Sequence, residues 1–187
     1  MRPLLLEYPD DPVAPAVDFE YLLGRDLLVV PVLNEEGRAV VYLPPGVWYD
    51  WWTGERLEGP RHLRLEVPLE RLPLYVRDSS LLVTAPEMDY VGQREWRPLT
   101  VDVRLASRAE ATAWSPQERI QLRAGRESGV RLSVDGPEID YVVRFIAPTV
   151  GSVRASGDAK ISGERAEGDV TVVEVRGGRF ELVAEAL

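Results

Sequence analysis

A row of short apolar segments separated by proline, glycine and tryptophan occupies residues 38–82. It includes VVYLPPGVWYDWWTGE and, further along, VPLERLPLYVRDSSLL. β-Branched and aromatic segments bounded by Pro and Gly predict strands rather than helices. His62–Val67 alternates, with Leu63, Leu65 and Val67 on one face, which is typical of a half-buried strand. We therefore expect an antiparallel β-sandwich in this part of the chain.

A similar pattern of short apolar segments continues to the end of the chain, although the sequence itself differs. Further strands are expected at Leu99–Leu105, Ile120–Arg123, Val130–Val134, Ile139–Phe145, Val170–Val175 and Arg179–Val183. Gly151–Gly168 is rich in glycine, serine, alanine and charge, which predicts a loop or a weak hairpin. Gly177-Gly178 stands between two apolar runs and predicts a tight hairpin turn. A second sandwich is therefore expected after residue 95.

The first 34 residues have a different pattern. Asp18–Leu23 is a short helical candidate, with Asp18 as its cap and Gly24 as its stop. Leu27–Val32 is a continuous apolar run, which indicates a strand buried on both faces, as in a parallel barrel. Pro44-Pro45-Gly46 is expected to end the strand that follows this region.

Three motifs resemble glycoside hydrolase family 31, the α-glucosidases and α-xylosidases. YLLGRDLLVVPVL (Tyr21–Leu33) is similar to the segment that closes the catalytic barrel in that family. YLPPGVWYDWWTGE and LPLYVRDSSLL are similar to segments of the β-sandwich that follows, and all three stand in the family's order. The opening MRPLLLEYPDD resembles a late barrel segment, so Met1 is expected to be an internal methionine of a longer enzyme.

This resemblance predicts a mainly β chain of three parts. Residues 1–34 would be the remnant of the last strand and helix of a (β/α)8 barrel. Residues 35–95 and 96–187 would be two consecutive antiparallel β-sandwich domains, proximal and distal. The partner implied is the catalytic barrel of the parent enzyme, through which the chain would meet carbohydrate.

Composition restricts the remaining functional classes. The chain has 31 acidic and 22 basic residues among 187, a net charge of −9, which disfavours binding to nucleic acid or to an anionic membrane. The absence of cysteine excludes disulfides and thiolate chemistry. The longest apolar runs are far shorter than the roughly 20 residues that span a bilayer. No signal peptide is visible, so we expect a soluble chain and favour a cytoplasmic location.

Catalytic residues are not expected. Glycoside hydrolysis uses two carboxylates flanking the sugar bond, and the resemblance implies two Asp residues on earlier barrel strands, whose motifs do not occur here. Acidic residues do cluster near the barrel remnant: Glu7, Asp10, Asp11, Asp18, Glu20 and Asp26. We interpret them as solvating loops and capping helices, with Asp26 the best catalytic candidate among them. His62, the single histidine, is expected at the surface, and neither a metal site nor a cofactor is expected.

Trp48, Trp51 and Trp52 are the only candidates for substrate binding. Exposed indole rings stack on sugars, but the same rings can instead fill the seam between sandwich and barrel. Strand alternation would place Trp48 and Trp52 on one face and Trp51 on the other, so the three rings would not form one platform.

Two functions remain open. In the first, the chain is the C-terminal accessory region of a retaining α-glycosidase of carbohydrate metabolism and is inactive alone. In the second, it is a stand-alone carbohydrate-binding or interaction module. Barrel sequence upstream of Met1 would favour the first function, and a stop or an unrelated gene would favour the second.

Overall fold

The computed structural model describes residues 1–114, 118–146 and 150–186. Strands account for 62% of the structure and helices for 4%, which confirms the mainly β fold. The chain divides into two compact units, Met1–Asp78 and Ser79–Leu187. In the described ranges, no helix is both long and apolar enough to cross a bilayer.

The first unit contains one six-stranded antiparallel sheet in the order β1-β2-β3-β6-β4-β5. Its elements in chain order are β1 (Arg2–Pro3), α1 (Leu4–Glu7), a 3-10 helix (Ala14–Ala16), β2 (Tyr21–Leu23), β3 (Leu27–Val29), β4 (Arg38–Asp50), β5 (Arg56–Glu66) and β6 (Leu74–Arg77). Leu4 and Ala14, from the segment that precedes β2, join the core formed by Leu22, Leu28 and other sheet residues.

The helix predicted over Asp18–Leu23 is wrong. Tyr21–Leu23 forms β2, which pairs with Leu27–Val29 across the turn at Gly24, whose φ is +70°. A helix this short is only marginally stable by itself, whereas the strand buries Leu22 in the core. The expected parallel setting of Leu27–Val32 is also wrong, because β3 pairs antiparallel with both β2 and β6.

Pro44-Pro45-Gly46 bends β4 instead of ending it. The strand runs from Arg38 to Asp50, and its register with β5 shifts between Leu43 and Gly46. β-Bulges are among the few places where a strand accepts proline. On β5, Gly59 lies so close that a Cβ there would collide with the carbonyl oxygen of Pro44.

The second unit has eight strands in its described residues. They are β7 (Ser80–Thr84), β8 (Leu99–Arg104), β9 (Arg108–Trp114), β10 (Arg119–Arg126), β11 (Gly129–Ile146), β12 (Val150–Gly157), β13 (Lys160–Glu167) and β14 (Val170–Ala186). The first half of β11 pairs with β10, and its second half pairs with β8. In the same way, β12 and β13 pair with opposite halves of β14.

The second unit closes as a sandwich because β11 and β14 both bend. The register of β11 and β14 shifts between Asp135 and Ile139, and Gly177-Gly178 lies opposite this shift. A Cβ on Gly178 would lie 2.9 Å from the carbonyl oxygen of Gly136. Core residues come from both halves of the bent strands, for example Leu132 and Val143 of β11.

Two predictions for this unit are therefore wrong. Gly177-Gly178 is not a hairpin turn, because β14 continues through it. Gly151–Gly168 is not a loop or weak hairpin, because it contributes the strands β12 and β13.

The single division at 78/79 differs from the expected boundaries at 34/35 and 95/96. Strands β1, β2 and β3, from the first 34 residues, share their sheet with β4, β5 and β6. The origin of residues 1–34 in a barrel stays a prediction, since it concerns neighbours outside this chain.

Candidate functional site

Trp48 lies wholly in the core of the first unit. Its side chain is 0% exposed, and its indole N–H donates a hydrogen bond of 2.9 Å to the carbonyl oxygen of Pro44. The guanidinium of Arg77 lies 5.5 Å from the ring centroid. The Trp48 side chain therefore packs in the core of the first unit and has no face accessible to a ligand.

Trp51 and Trp52 lie in the turn after β4 and are exposed at 36% and 47%. The predicted alternation stops at Asp50, whose carboxylate accepts hydrogen bonds of 2.8 Å from the backbone N–H groups of Trp52 and Thr53. The indole N–H of Trp52 donates to the carbonyl oxygen of Leu72 at 2.8 Å. These two rings keep accessible surface, and their role in binding stays a prediction.

Two buried carboxylates hold Tyr42 at opposite ends. Asp11 accepts a 2.6 Å hydrogen bond from the Tyr42 hydroxyl, and Glu20 accepts one of 2.7 Å from the Tyr42 backbone N–H. Asp11 also accepts from the N–H groups of Val13 and Ala14. Burial opposes the charge of Asp11, but these hydrogen bonds outweigh it, so the pKa of Asp11 lies below its ordinary value.

The buried carboxylate of Glu20 accepts fewer hydrogen bonds than that of Asp11. Its second carboxylate oxygen is buried and finds no hydrogen-bond partner in the part of the chain that the structure describes. Burial raises the pKa of Glu20 to about 7, although the Tyr42 N–H opposes that rise. An acid with this pKa could exchange protons near neutrality, but its residue is only 5% exposed, so a substrate would not reach it.

Glu7 forms the centre of an arginine cluster. Its carboxylate lies 2.6 Å from Arg2 and 3.2 Å from Arg77. Burial opposes its charge, but the hydrogen bonds and charges of the arginines prevail and lower the pKa of Glu7. Arg77 also donates a 2.7 Å hydrogen bond to the Tyr8 hydroxyl, and burial raises the pKa of Tyr8 to about 12. This carboxylate is fully engaged in ion pairs.

A pocket of about 550 Å³ opens beside these networks, within the first unit. It is lined by the segment that follows α1 and by the bends of β4 and β5: Glu7, Tyr8, Pro9, Asp10, Asp11, Pro12, Val13, Tyr42, Pro45, Pro60, Arg61 and His62. Its volume falls in the range of small-molecule sites, about 300–1,000 Å³.

The acidic residues that the sequence analysis grouped together therefore differ in solvent exposure. Asp10 and Asp18 are exposed, in line with solvation, but that interpretation is wrong for Asp11 and Glu20, which are 8% and 5% exposed. Asp26 lies in the turn between β2 and β3, and its backbone carbonyl accepts from the N–H of Arg77 at 2.8 Å. Among the described residues, no group of three His, Asp or Glu side chains could hold a metal ion.

His62 is exposed, as expected, and lines the pocket. Its ring centroid lies 5.0 Å from that of Tyr42. The pocket itself was not predicted, because its walls come from segments far apart in the sequence. One local signal existed: Asp11 precedes Val13 and Ala14 at the spacing at which Asp side chains accept backbone N–H groups in turns.

The first part of the chain is similar in sequence to known proteins. Residues 1–82 match the family model described as the glycosyl hydrolase family 31 C-terminal domain. An α-glucosidase of Bacillus thermoamyloliquefaciens is 40% identical over 83 residues, which cover 44% of this chain and 10% of that protein. An α-xylosidase of Saccharolobus solfataricus is 42% identical over 84 residues, or 44% of this chain and 12% of that protein.

The second part is matched by fold. The family 31 dextranase of Flavobacterium johnsoniae, solved in complex with glucose, superposes on 99% of this chain with a TM-score of 0.86 and 20% identity, and the match covers 29% of the dextranase chain. The chain thus spans only about a tenth of the curated relatives above. The resemblance to the C-terminal part of glycoside hydrolase family 31 is confirmed.

Proposed function

We propose that this chain, whose first 82 residues match the C-terminal domain of glycosyl hydrolase family 31, is the accessory β-region of a retaining α-glycosidase and is inactive alone. The observation that carries this proposal is that three carboxylates of the first unit are already engaged by other groups of the chain. Glu7 pairs with arginines, and Asp11 and Glu20 hold Tyr42. Hydrolysis by two carboxylates requires a pair of them that flank the same sugar bond. None of these three carboxylates is free to take part in such a pair.

The first unit also exposes much apolar surface, which supports docking to the catalytic barrel. Its large exposed apolar side chains include Leu5, Leu6, Phe19, Leu23, Leu33, Val40, Leu69 and Leu72. Patches of exposed apolar surface mark interaction sites. Leu69 is 98% exposed and Leu33 is 68% exposed, and Leu69 lines a groove with the neighbouring residues Val32 and Leu72. The barrel is the proposed occupant of this surface.

A chimeric enzyme tests the proposal. Residues 1–187 would replace the matching C-terminal region of the Saccharolobus α-xylosidase, and hydrolysis of a nitrophenyl α-glycoside would be measured. We expect turnover with retention from the chimera and none above background from the chain alone. Turnover by the chain alone that is abolished in Asp26→Asn would place catalysis in this chain and overturn the proposal.

Surface variants of the chimera test the docking. Leu69→Ser should lower its soluble yield or its activity, whereas Trp114→Ser should not, although Trp114 of the second unit is also exposed, at 69%. Equal effects of both variants would contradict docking through the first unit.

A stand-alone carbohydrate-binding module is the second candidate. The turn that carries Trp51 and Trp52 favours it, because the indole N–H of Trp52 is anchored to Leu72 while the ring stays half exposed. Binding of the isolated chain to insoluble α-glucan, lost in the Trp51→Ala/Trp52→Ala double variant, would support this second function.

A further inference from the structure

We propose that the pocket between the segment Glu7–Val13 and the bends of β4 and β5 binds a neutral saccharide. This site is separate from the turn that carries Trp51 and Trp52, whose residues do not line it. The inference concerns the isolated chain and does not depend on docking to a catalytic barrel.

The walls of the pocket are rigid before any ligand arrives. Pro9, Pro12, Pro45 and Pro60 contribute to these walls. Proline fixes its own φ and has almost no side-chain freedom to lose. Binding is therefore not penalised by ordering of these walls, which is the usual loss when a ligand meets flexible side chains.

The inner wall is fixed by hydrogen bonds. The carboxylate of Asp11 is taken up by the Tyr42 hydroxyl and by two backbone N–H groups. The Tyr8 hydroxyl accepts from Arg77, and the His62 ring stands 5.0 Å from the Tyr42 ring, inclined by 41°. These contacts hold the rings in place, with Tyr8 partly accessible and Tyr42 only 3% exposed.

The rim, in contrast, presents polar groups that are still available. The side chains of Asp10, Arg61 and His62 are exposed and line the pocket. Within the described ranges, neither the Asp10 carboxylate nor the Arg61 guanidinium forms an ion pair or a side-chain hydrogen bond. A carboxylate accepts hydrogen bonds from hydroxyls and a guanidinium donates to them. A ligand with several hydroxyls would satisfy both.

A pyranose fits this combination of surfaces. Its ring has apolar C–H faces suited to proline and aromatic walls, and its edge carries hydroxyls suited to Asp10 and Arg61. A cationic ligand fits less well, because Glu7 is already matched by arginines and Asp11 by neutral donors. The remaining charges of Asp10 and Arg61 offset each other, which favours a neutral ligand.

The test is a titration of the ¹⁵N-labelled full chain with maltose, isomaltose and methyl α-xyloside, followed by amide chemical shifts. We expect saturable shifts at residues 8–13 and 60–62 for at least one sugar, with a Kd of about 1–10 mM, as suits a small open site. Asp10→Asn and His62→Ala should each weaken binding about fivefold, the effect of losing one modest contact. Arg64→Ala is the matched control, since Arg64 is exposed on the same strand outside the pocket, and its Kd should stay within about twofold.

Several outcomes would overturn the proposal. These are no saturable shift with any sugar, equal weakening by Arg64→Ala, the same shifts with glycerol, and preferential binding of arginine amide. Saturable binding that is unaffected by Asp10→Asn and His62→Ala would place the sugar elsewhere and likewise contradict it. Because the titration measures binding and not turnover, none of these results bears on the proposed accessory role.

Discussion

The two units bury their β-sheets in different ways. The second unit bends β11 and β14 so that one set of strands supplies both layers of a core, which contains Leu132, Val143 and Leu182, all 0% exposed. The first unit covers its single sheet with an irregular segment that carries Leu4 and Ala14.

Their buried polar groups differ as well. Among the described residues, the buried polar ones of the first unit are Asp11 and Glu20, whereas those of the second are the hydroxyl residues Ser80 and Thr171. The Asp102 carboxylate of the second unit is partly exposed and pairs with Arg144. Burying a carboxylate costs more than burying a hydroxyl and depends on pH. We infer that the second unit is stabilised mainly by apolar packing, and that the first also depends on its charge state and on surface contacts.

The largest expected effect is the selective unfolding of the first unit after truncation of a core side chain. Trp48→Ala should lower its free energy of unfolding by about 3–5 kcal/mol, since the ring is wholly buried and such truncations leave a cavity. Amide hydrogen exchange should show lost protection in residues 1–78 but not in the core strands of the second unit. Trp52→Ala, at a half-exposed site, is the control and should cost about 1 kcal/mol or less. Equal loss of protection in both units would mean that they unfold together.

The sequence predicted most strands and missed how some of them connect. Apolar alternation is local, so the strand at His62–Val67 was recognisable, and it forms part of β5. Pro44-Pro45-Gly46 and Gly177-Gly178 were expected to end strands, yet β4 and β14 continue through both. Residues that make turns also make bulges, and only the partner strand decides between the two.

The candidate site was less predictable than the fold. Tyr42 lies 31 residues from Asp11 and 22 residues from Glu20, so no local pattern reveals their hydrogen bonds. The acidic residues of this region, Asp11 and Glu20 among them, were interpreted as solvating loops and capping helices. Their burial arises only when the segment before β2 packs on the sheet.

The second prediction tests the pH dependence of the first unit. Burial raises the pKa of Glu20 from 4.5 to about 7, so the folded state keeps a proton that the unfolded state releases. Stability should therefore fall as pH rises from about 4.5 to 7, and the loss should be complete above 7. Glu20→Gln mimics the protonated form. It should stabilise the first unit by about 3 kcal/mol at pH 8 relative to its effect at pH 4.5, since each pKa unit corresponds to about 1.4 kcal/mol.

Urea unfolding of Glu20→Gln and the unsubstituted chain at both pH values measures this difference. Glu35→Gln, at an exposed site, is the control and should show no pH-dependent difference. An effect of Glu20→Gln that is the same at pH 4.5 and 8 would contradict a raised pKa.

A smaller effect is expected at the bend of the second unit. The carboxylate of Asp158 accepts hydrogen bonds from the backbone N–H groups of Gly178 and Arg179, at distances of 3.0–3.2 Å. Asp158→Ala should lower the stability of this unit by about 1–2 kcal/mol, because it leaves two N–H groups of the bend without an acceptor. The midpoint of urea unfolding should fall, whereas exposed Glu164→Ala should leave it unchanged. An unchanged midpoint in Asp158→Ala would show that the bend is held by packing alone.

The smallest effect on stability is expected where the first unit is most exposed. Leu69 is 98% exposed, so Leu69→Ser should change the free energy of unfolding by no more than about 0.5 kcal/mol. Self-association should fall nonetheless, because the variant removes exposed apolar surface. Sedimentation velocity at increasing concentration would measure it, with Ile161→Ser of the second unit as the control, since Ile161 is only 37% exposed. If Leu69→Ser lowers stability by more than about 1 kcal/mol, Leu69 belongs to the fold of the first unit, and the contrast between an exposed docking surface there and a closed core in the second unit fails.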